Sequence, residues 1–431
     1  MRALARLTIF ALAVLAGTAT ADDAGRRTLQ ECVAIALDRH PTLRAAQAVV
    51  DAANRRVWQA GSPYLPQVSA SYDVDRRHTS ASARLGVDAT TPAQTFWFYN
   101  TGLSLNQVLF DFGQTLSSIR AAQAEERATQ ADAVTQRASV VFNVKQTYFQ
   151  LLAANRLLLV SNDTVAQNHK HLELAEGRLR VGLAPRFDVT QAQVQLATAE
   201  LDQISARNNV ALAQETLRHA MGLSEPLSFE IVDSLDVHTL RVDDSAALQA
   251  AHTSRPELQG FYERAQSLQQ QISALKKDYL PRLIGNGTYQ WQGSDYPLQS
   301  TWDVGAALSV PIFNGGSTWA QVGEAEANLS RLRFDEEAQR QSITLEVRQS
   351  MLDLHRAEEA IAVAEKGVRQ ARENLMLAEG RYRTGVGNII EVTDAQASRS
   401  SAEASYVQTL YSYKTAVAAL EKATAKEWVS E

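Results

Sequence analysis

The sequence predicts a mainly α-helical chain of two tandem repeats, each combining long coiled-coil helices with two β-strands patterned for a membrane β-barrel. Three observations predict it. Residues 174–182 and 188–193 recur as residues 377–385 and 391–396 at one constant offset without a gap, with roughly half the positions identical, so one structural unit is used twice. No proline falls between Pro92 and Pro185 or anywhere after Pro311, which leaves room for very long helices. Each half also holds two short segments in which apolar and polar residues alternate.

The repeat extends well beyond that stretch. Leu109-Phe110-Asp111 aligns with Ile312-Phe313-Asn314, His40-Pro41 with Arg255-Pro256, and Leu65-Pro66 with Leu280-Pro281. The first half carries about a dozen extra residues between its Leu-Pro and its Phe, around Thr79 to Thr95, where a surface loop tolerates length. The expected map is a signal segment at 1–21, a first repeat at 22–222, a linker at 223–243 and a second repeat at 244–431. Strands are expected near 64–78 and 96–110, then near 280–292 and 301–313, with helix turns at 182–188 and 385–391.

The start of the chain reads as a secretory signal: Arg2 and Arg6, an apolar run over 7–16, and Ala19-Thr20-Ala21 as a cleavage site. That run is too short for a membrane-spanning helix. Cys32 is the only cysteine, so no intramolecular disulfide forms, and its apolar neighbours Val33, Ile35 and Leu37 mark it as a small packing residue. Beyond the signal no long apolar run is present, so a membrane role would have to come from strands. The formal net charge is −6, with no basic stripe of the kind nucleic acid demands. No phosphate loop, His-Glu-x-x-His or paired-cysteine spacing occurs, and no cofactor is expected. His169 and His171, two apart, read as surface histidines.

In the proline-free spans, steps of three and four link Val134, Ala138, Val141, Val144, Tyr148, Leu151, Asn155 and Leu158. The same beat links Ile343, Val347, Ser350, Leu354, Ala357, Ile361, Ala364 and Val368. A helix over 114–181 would run on the order of 100 Å, too long to fold back into a compact core. It needs neighbours along its length, and the next helix and the equivalent pair in the other repeat are the nearest.

The alternating segments put Val68, Ala70, Tyr72 and Val74, Trp97, Tyr99, Leu103, Leu105 and Leu109, Leu283, Tyr289 and Trp291, and Trp302, Val304, Ala306, Leu308, Val310 and Ile312 on one apolar face. The other face is polar. Their length of about 10 to 13 residues suits a tilted membrane strand, although a soluble sheet covering the helices would read the same way. An open sheet cannot sit in lipid, because its edges leave backbone groups unpaired, and barrels need at least about eight strands. Strands would then be pooled between chains: eight in a dimer, or twelve in a trimer, which leaves room for a lumen.

As a set, these residues resemble the TolC-like outer-membrane factor family of Gram-negative bacteria, the outer-membrane channels of type I secretion and tripartite efflux. The features that carry the resemblance are the signal, Leu29-Gln30-Glu31 and Ala36-Leu37 leading into His40-Pro41, both Leu-Pro strand openings, Leu109 to Gly113, Pro311 to Gly316, and the twin Arg-x-x-x-Gly turns at Arg178 to Gly182 and Arg381 to Gly385. The resemblance implies a homotrimer with a twelve-stranded barrel in the outer membrane, continued by a twelve-helix tunnel in the periplasm. It also implies that the repeated turns form the periplasmic tip, where the tunnel closes and where an adaptor (membrane fusion) protein and an inner-membrane transporter of ABC or RND type dock.

At such a tip, threefold symmetry would triple every charge. Glu391 and Asp394 become pore-constriction candidates favouring cations, and the family pattern makes Asp188 and Tyr382 a gating pair. Asn388-x-x-Glu391 and Asp188-x-x-Gln191 also resemble helix capping boxes. Gly182 and Gly385 suit helix ends that need positive φ. Leu183 and Val386 would stand beside them as apolar knobs for an adaptor, and Arg178 and Arg381 as adaptor contacts or partners of the helix dipole. Where some relatives carry an arginine, this chain has Gly387, so the closed state is expected to be held differently. The leading function is a passive export conduit fed by an inner-membrane transporter, for polypeptides or small molecules. The alternative is a non-channel periplasmic coiled-coil scaffold. No nucleophile, acid–base pair or metal cluster suggests an enzyme.

Overall fold

The computed structural model describes residues 25–79, 94–235 and 242–428. The expected signal segment and most of the expected surface loop around Thr79 to Thr95 lie outside these residues. The described residues after Gly25 form β1 (Arg26–Arg27), α1 (Leu29–Arg39), α2 (Pro41–Gly61), β2 (Gln67–Thr79), β3 (Gln94–Phe110), α3 (Gln114–Arg180), α4 (Arg186–Ala220), β4 (Glu230–Ile231), α5 (Asp244–Ser254), α6 (Pro256–Lys276), β5 (Arg282–Gly293), β6 (Gln299–Ser309), α7 (Ser317–Thr384) and α8 (Ile389–Thr424), with short 3₁₀ turns at Ser62–Tyr64 and Lys277–Tyr279. The fold is mainly helical, with few strands.

The order α1-α2-β2-β3-α3-α4 recurs as α5-α6-β5-β6-α7-α8, with lengths of 11, 21, 67 and 35 residues for the helices of the first half and 11, 21, 68 and 36 for those of the second. Local chemistry repeats too. Thr28 caps α1 in a reciprocal box with Glu31, and Asp243 caps α5 by accepting from Ala246 N at 3.0 Å. Each of these helices then stops at an extended residue, His40 or Arg255, because the next residue is a proline that disfavours helical backbone before it and opens the following helix. The strand β6 ends at Ser309, short of the expected 313, since Pro311 has no N–H to offer a ladder.

The compact units do not coincide with the sequence repeats. One unit comprises Met1–His40, Val140–His238 and Arg356–Ala418, and the other comprises Pro41–Ser139, Thr239–His355 and Ala419–Glu431, so each takes pieces of both repeats. A helix of 67 residues cannot pack on itself, and α3 is bonded to α4 of its own repeat, Asn168 Nδ2 to Gln195 O at 3.4 Å, and to α8 of the other, Thr164 to Ser400 at 2.8 Å.

In the first unit, Tyr148 is fully buried on α3 and its hydroxyl donates to the backbone oxygens of Val232, at 2.7 Å, and Arg27, at 3.3 Å. That clamps the parallel pair β1–β4. Arg156 adds a two-pronged bond to Asp233 at 2.8 and 2.9 Å. Cys32 is fully buried here, and burial pushes its thiol up to about 11, so it packs rather than reacts.

In the second unit the four long strands form one antiparallel sheet in the order β2-β3-β5-β6, the β3–β5 pair joining the two repeats. The register puts Ser69, Ser104, Thr288 and Asp303 in one row, and Gln67, Asn106 and Asn286 in the next. On the opposite face Val68, Leu105 and Val304 form a row, and Ala70, Leu103, Tyr289 and Trp302 another. The rings of Tyr289 and Trp291 meet edge-on at 4.7 Å on that apolar face. Gly102 on β3 leaves no room for a side chain against β5: a Cβ there would stand 2.5 Å from Tyr289 O. Asp111 anchors the passage from β3 into α3, accepting from Thr115 N at 2.7 Å and from Gly113 N at 3.0 Å, with Gly113 at φ 77°.

Among the coiled-coil positions, Ile343, Val347, Ser350, Leu354, Ala357 and Val368 are buried in α7. On α3, Val144, Tyr148 and Leu151 are buried, whereas Val134 is 54% exposed, so part of that seam finds no partner within one chain. No helix among the described residues is long and apolar enough to cross a membrane.

Candidate functional site at the paired helix turns

The two turns that the sequence duplicates close α3 onto α4 and α7 onto α8, both within the first unit. Each helix end follows the same physics: its last carbonyls lack intrahelical partners, and a residue at positive φ lets the chain fold back to meet them. Gly182 has φ 76°, and Leu183 N donates to Arg178 O at 2.8 Å. Gly385 has φ 81°, and Val386 N and Gly387 N both donate to Arg381 O at 3.0 Å. Behind each turn lies a small core: Ala175, Val189 and Ala192 in one, Leu375, Ala378, Tyr382, Ile389, Val392 and Ala395 in the other.

The four helix termini are stitched by polar contacts. Tyr382 is 2% exposed and its hydroxyl donates to Asp188 Oδ2 at 3.0 Å, joining α7 to α4. Burial, reinforced by the bond and charge of Asp188, pushes the phenol up to about 12, so it remains a donor at any physiological pH. Arg178 reaches across from α3: one guanidinium nitrogen donates to Tyr382 O at 2.6 Å and to Arg383 O at 3.2 Å, and the group lies 4.8 Å from the centre of the Tyr382 ring.

Arg381 stays within its own hairpin and pairs with Glu391 at 3.1 Å. Asn388 caps α8 by accepting from Glu391 N at 2.9 Å, but the Glu391 carboxylate faces Arg381, so only half of the expected box forms there. The box expected at Asp188 does not form. The cap of α4 is Pro185, three residues earlier, and Asp188 lies inside the first turn, buried, where the phenol rather than its own backbone takes the carboxylate. Asp394, one turn after Glu391, is exposed. Leu183 and Val386 are exposed beside the turns, 68% and 73%.

Gly387 is kept small by its surroundings. A Cβ there would stand 3.0 Å from Arg381 Cβ and 3.1 Å from Glu391 Oε2, so a side chain at 387 and the Arg381–Glu391 pair compete for one space.

His171 corrects a sequence reading. His169 is exposed as expected, but His171 is buried, with Nε2 3.7 Å from Glu379 Oε1, and burial pulls its imidazole pKa down. The i, i+2 spacing places the two histidines on different sides of α3, and the second side is the packed one. Sequence reasoning also missed the Arg399 network: Arg399 donates to Asp163 at 2.6 Å and to Glu403 at 3.1 Å, and Arg372 bonds Glu403 at 2.9 Å. Arg178 and Arg381 occupy equivalent repeat positions yet have different partners. The available signal was the point where the repeats differ, since Tyr382 stands where the first repeat has Leu179.

Long helix hairpins, a two-faced four-stranded sheet and duplicated turns are the architecture of the outer-membrane efflux proteins. The family model described as "Outer membrane efflux protein" matches residues 33–223 and 247–426, most of the chain, and the protein belongs to that family. It is similar to the outer membrane efflux protein BepC of Brucella suis biovar 1, 24% identical over 97% of this chain and 90% of that protein. It is also similar to the outer membrane protein TolC of Escherichia coli K12, 26% identical over 87% of this chain and 77% of that protein. The solved CmeC outer membrane channel of Campylobacter jejuni shares the fold, with a TM-score of 0.79 over 94% of this chain and 86% of that one at 19% identity. The chain is accordingly an outer-membrane protein of the channel class.

Proposed function

We propose that this chain is one of three identical subunits of a passive export channel, which receives its cargo from an inner-membrane transporter of ABC or RND type through a periplasmic adaptor protein, in type I protein secretion or multidrug efflux. The observation that carries the proposal is the sheet. One face is polar, the other apolar with Tyr72, Trp291 and Trp302, and β2 and β6 are its edges. In lipid those edges have to be paired. Three copies give twelve strands, enough for a lumen lined by the row of Ser69, Ser104, Thr288 and Asp303.

The helices supply the rest of the argument. Apolar side chains such as Leu159, Leu352 and Val363 are exposed on α3 and α7, as expected of surfaces that other copies cover. Twelve long helices from three chains would line the periplasmic tunnel. The turns would form its gated end, with Glu391 and Asp394 as the acidic constriction, Asp188 and Tyr382 as the closed-state pair, and the knobs at Gly182, Leu183, Gly385 and Val386 facing the adaptor. Energy and cargo choice would lie with the transporter.

The test is the mass of the detergent-extracted mature protein together with its conductance in planar bilayers. A three-copy mass with small, cation-selective steps is the expected result. A soluble species that never inserts would overturn the channel in favour of a coiled-coil scaffold.

A further inference from the structure

We propose that Arg178 is the positioning residue of the tip: it grips the second repeat's helix end from the first repeat, and the shut state depends on that grip. The proposal rests on the tip being the gate.

The residue pattern and the geometry point the same way. α7 ends at Thr384, so the carbonyls of Tyr382 and Arg383 are among the last four, which no helical N–H can reach. They also carry the negative end of the helix dipole. Arg178 brings a cation to that end, one guanidinium nitrogen donating at 2.6 Å to Tyr382 O, which also accepts from Gly385 N at 3.1 Å, and at 3.2 Å to Arg383 O. The same guanidinium lies over the Tyr382 ring, whose hydroxyl is held by Asp188.

Tyr382 is thus contacted at its backbone, its ring face and its hydroxyl by polar groups of α3 and α4 of the first repeat. The grip runs one way. Arg381, at the equivalent position of the second repeat, is paired with Glu391 of its own hairpin and returns no such contact to the first. Without an arginine at 387, the cation that joins the two turns comes from Arg178 in the other hairpin. Swinging the second hairpin away from the first has to break both carbonyl bonds and strip the cation from the ring, whereas the Arg381–Glu391 pair can travel with its hairpin intact.

The experiment compares wild type, Arg178→Gln and Arg178→Lys as full mature protein in detergent, by hydrogen exchange resolved along α7, and then in planar bilayers. Loss of a hydrogen bond to a charged group corresponds to about tenfold or more in a local opening equilibrium. Amides near 382–387 in Arg178→Gln are expected to exchange faster by about that factor, with those near 343–357 unchanged and single-channel conductance raised. Lysine keeps a point charge but not the planar group that lies over the Tyr382 ring, and is expected to fall between the two. Wild-type exchange near 382–387 in Arg178→Gln would overturn the grip, and faster exchange with wild-type currents would remove Arg178 from the gate. Should Arg178→Gln fail to assemble, Arg178→Lys carries both readouts. A wild-type protein that passes no current sinks the channel reading instead, and the exchange comparison still decides the grip.

Discussion

Tyr382 and Leu179 stand at the same place in the two repeats, and that one difference separates their chemistry. Leu179 is exposed and has no polar group to offer, whereas Tyr382 is buried and its phenol is a donor that reaches Asp188. Around it the two acidic candidates differ in their surroundings: Glu391 is paired with Arg381 and Asp394 stands exposed. Replacing both with alanine is expected to raise single-channel conductance and weaken cation preference, read as the reversal potential across a salt gradient. An unchanged potential would take both out of the constriction. His171 gives a prediction in pH. Its neutral form is favoured in the folded protein by burial, against the opposing pull of Glu379, while Lys170 adds to the lowering. The α4 stretch packed on the same turns of α3, residues 189–195, carries no titratable side chain. A depressed histidine pKa means the unfolded chain takes up the proton first, so its contribution is whole above the ordinary value of about 6.5 and declines as pH falls below it. The melting temperature of wild type is expected to fall more steeply from pH 7 to pH 5 than that of His171→Met. Identical slopes would show that the burial has no such consequence.

At the scale of elements, the long helices are set by what they lack. Between Gly113 and Gly177 no glycine interrupts α3 and no proline occurs at all, so nothing ends the helix until Gly182 turns it. Val144 is fully buried near the middle of that run. Replacing it with proline removes a backbone bond and is expected to cost about 3 kcal/mol or more per chain. Circular dichroism and the yield of the proposed trimer measure the loss, and full assembly would argue against a continuous helix as the structural member. The period-two signal was as legible as the helical one. Val68, Leu105 and Val304 alternate with polar neighbours along their own strands and meet in one row across the sheet. The end of β6 was less legible, because alternation continues through Val310 and Ile312 after Pro311 has stopped the ladder.

For the molecule as a whole, the two faces of the sheet make opposite demands. Val304 lies on the apolar face of the edge strand β6 and Asp303 on the polar face, bonded to Thr288. If the apolar face meets lipid, Val304→Arg is expected to cost about 2–4 kcal/mol near the bilayer midplane. Asp303→Asn, which keeps size and hydrogen bonding, is expected to fold as wild type. The yield of folded protein in lipid vesicles distinguishes them, and equal yields would turn the sheet back into a soluble one.

The sequence by itself determined the duplication, the long helices, the strands with their two faces and the turns at Gly182 and Gly385, because each is written in local spacing: a period of two, steps of three and four, a glycine where φ must be positive. Tertiary structure alone decided the partners. Arg178 and Arg381 are equivalent in sequence but one crosses to the other repeat and the other does not. Asp188 serves Tyr382 rather than its own helix cap, and His171 is buried rather than solvated. These outcomes depend on which helices lie side by side more than a hundred residues apart in the chain, and no local pattern encodes that distance.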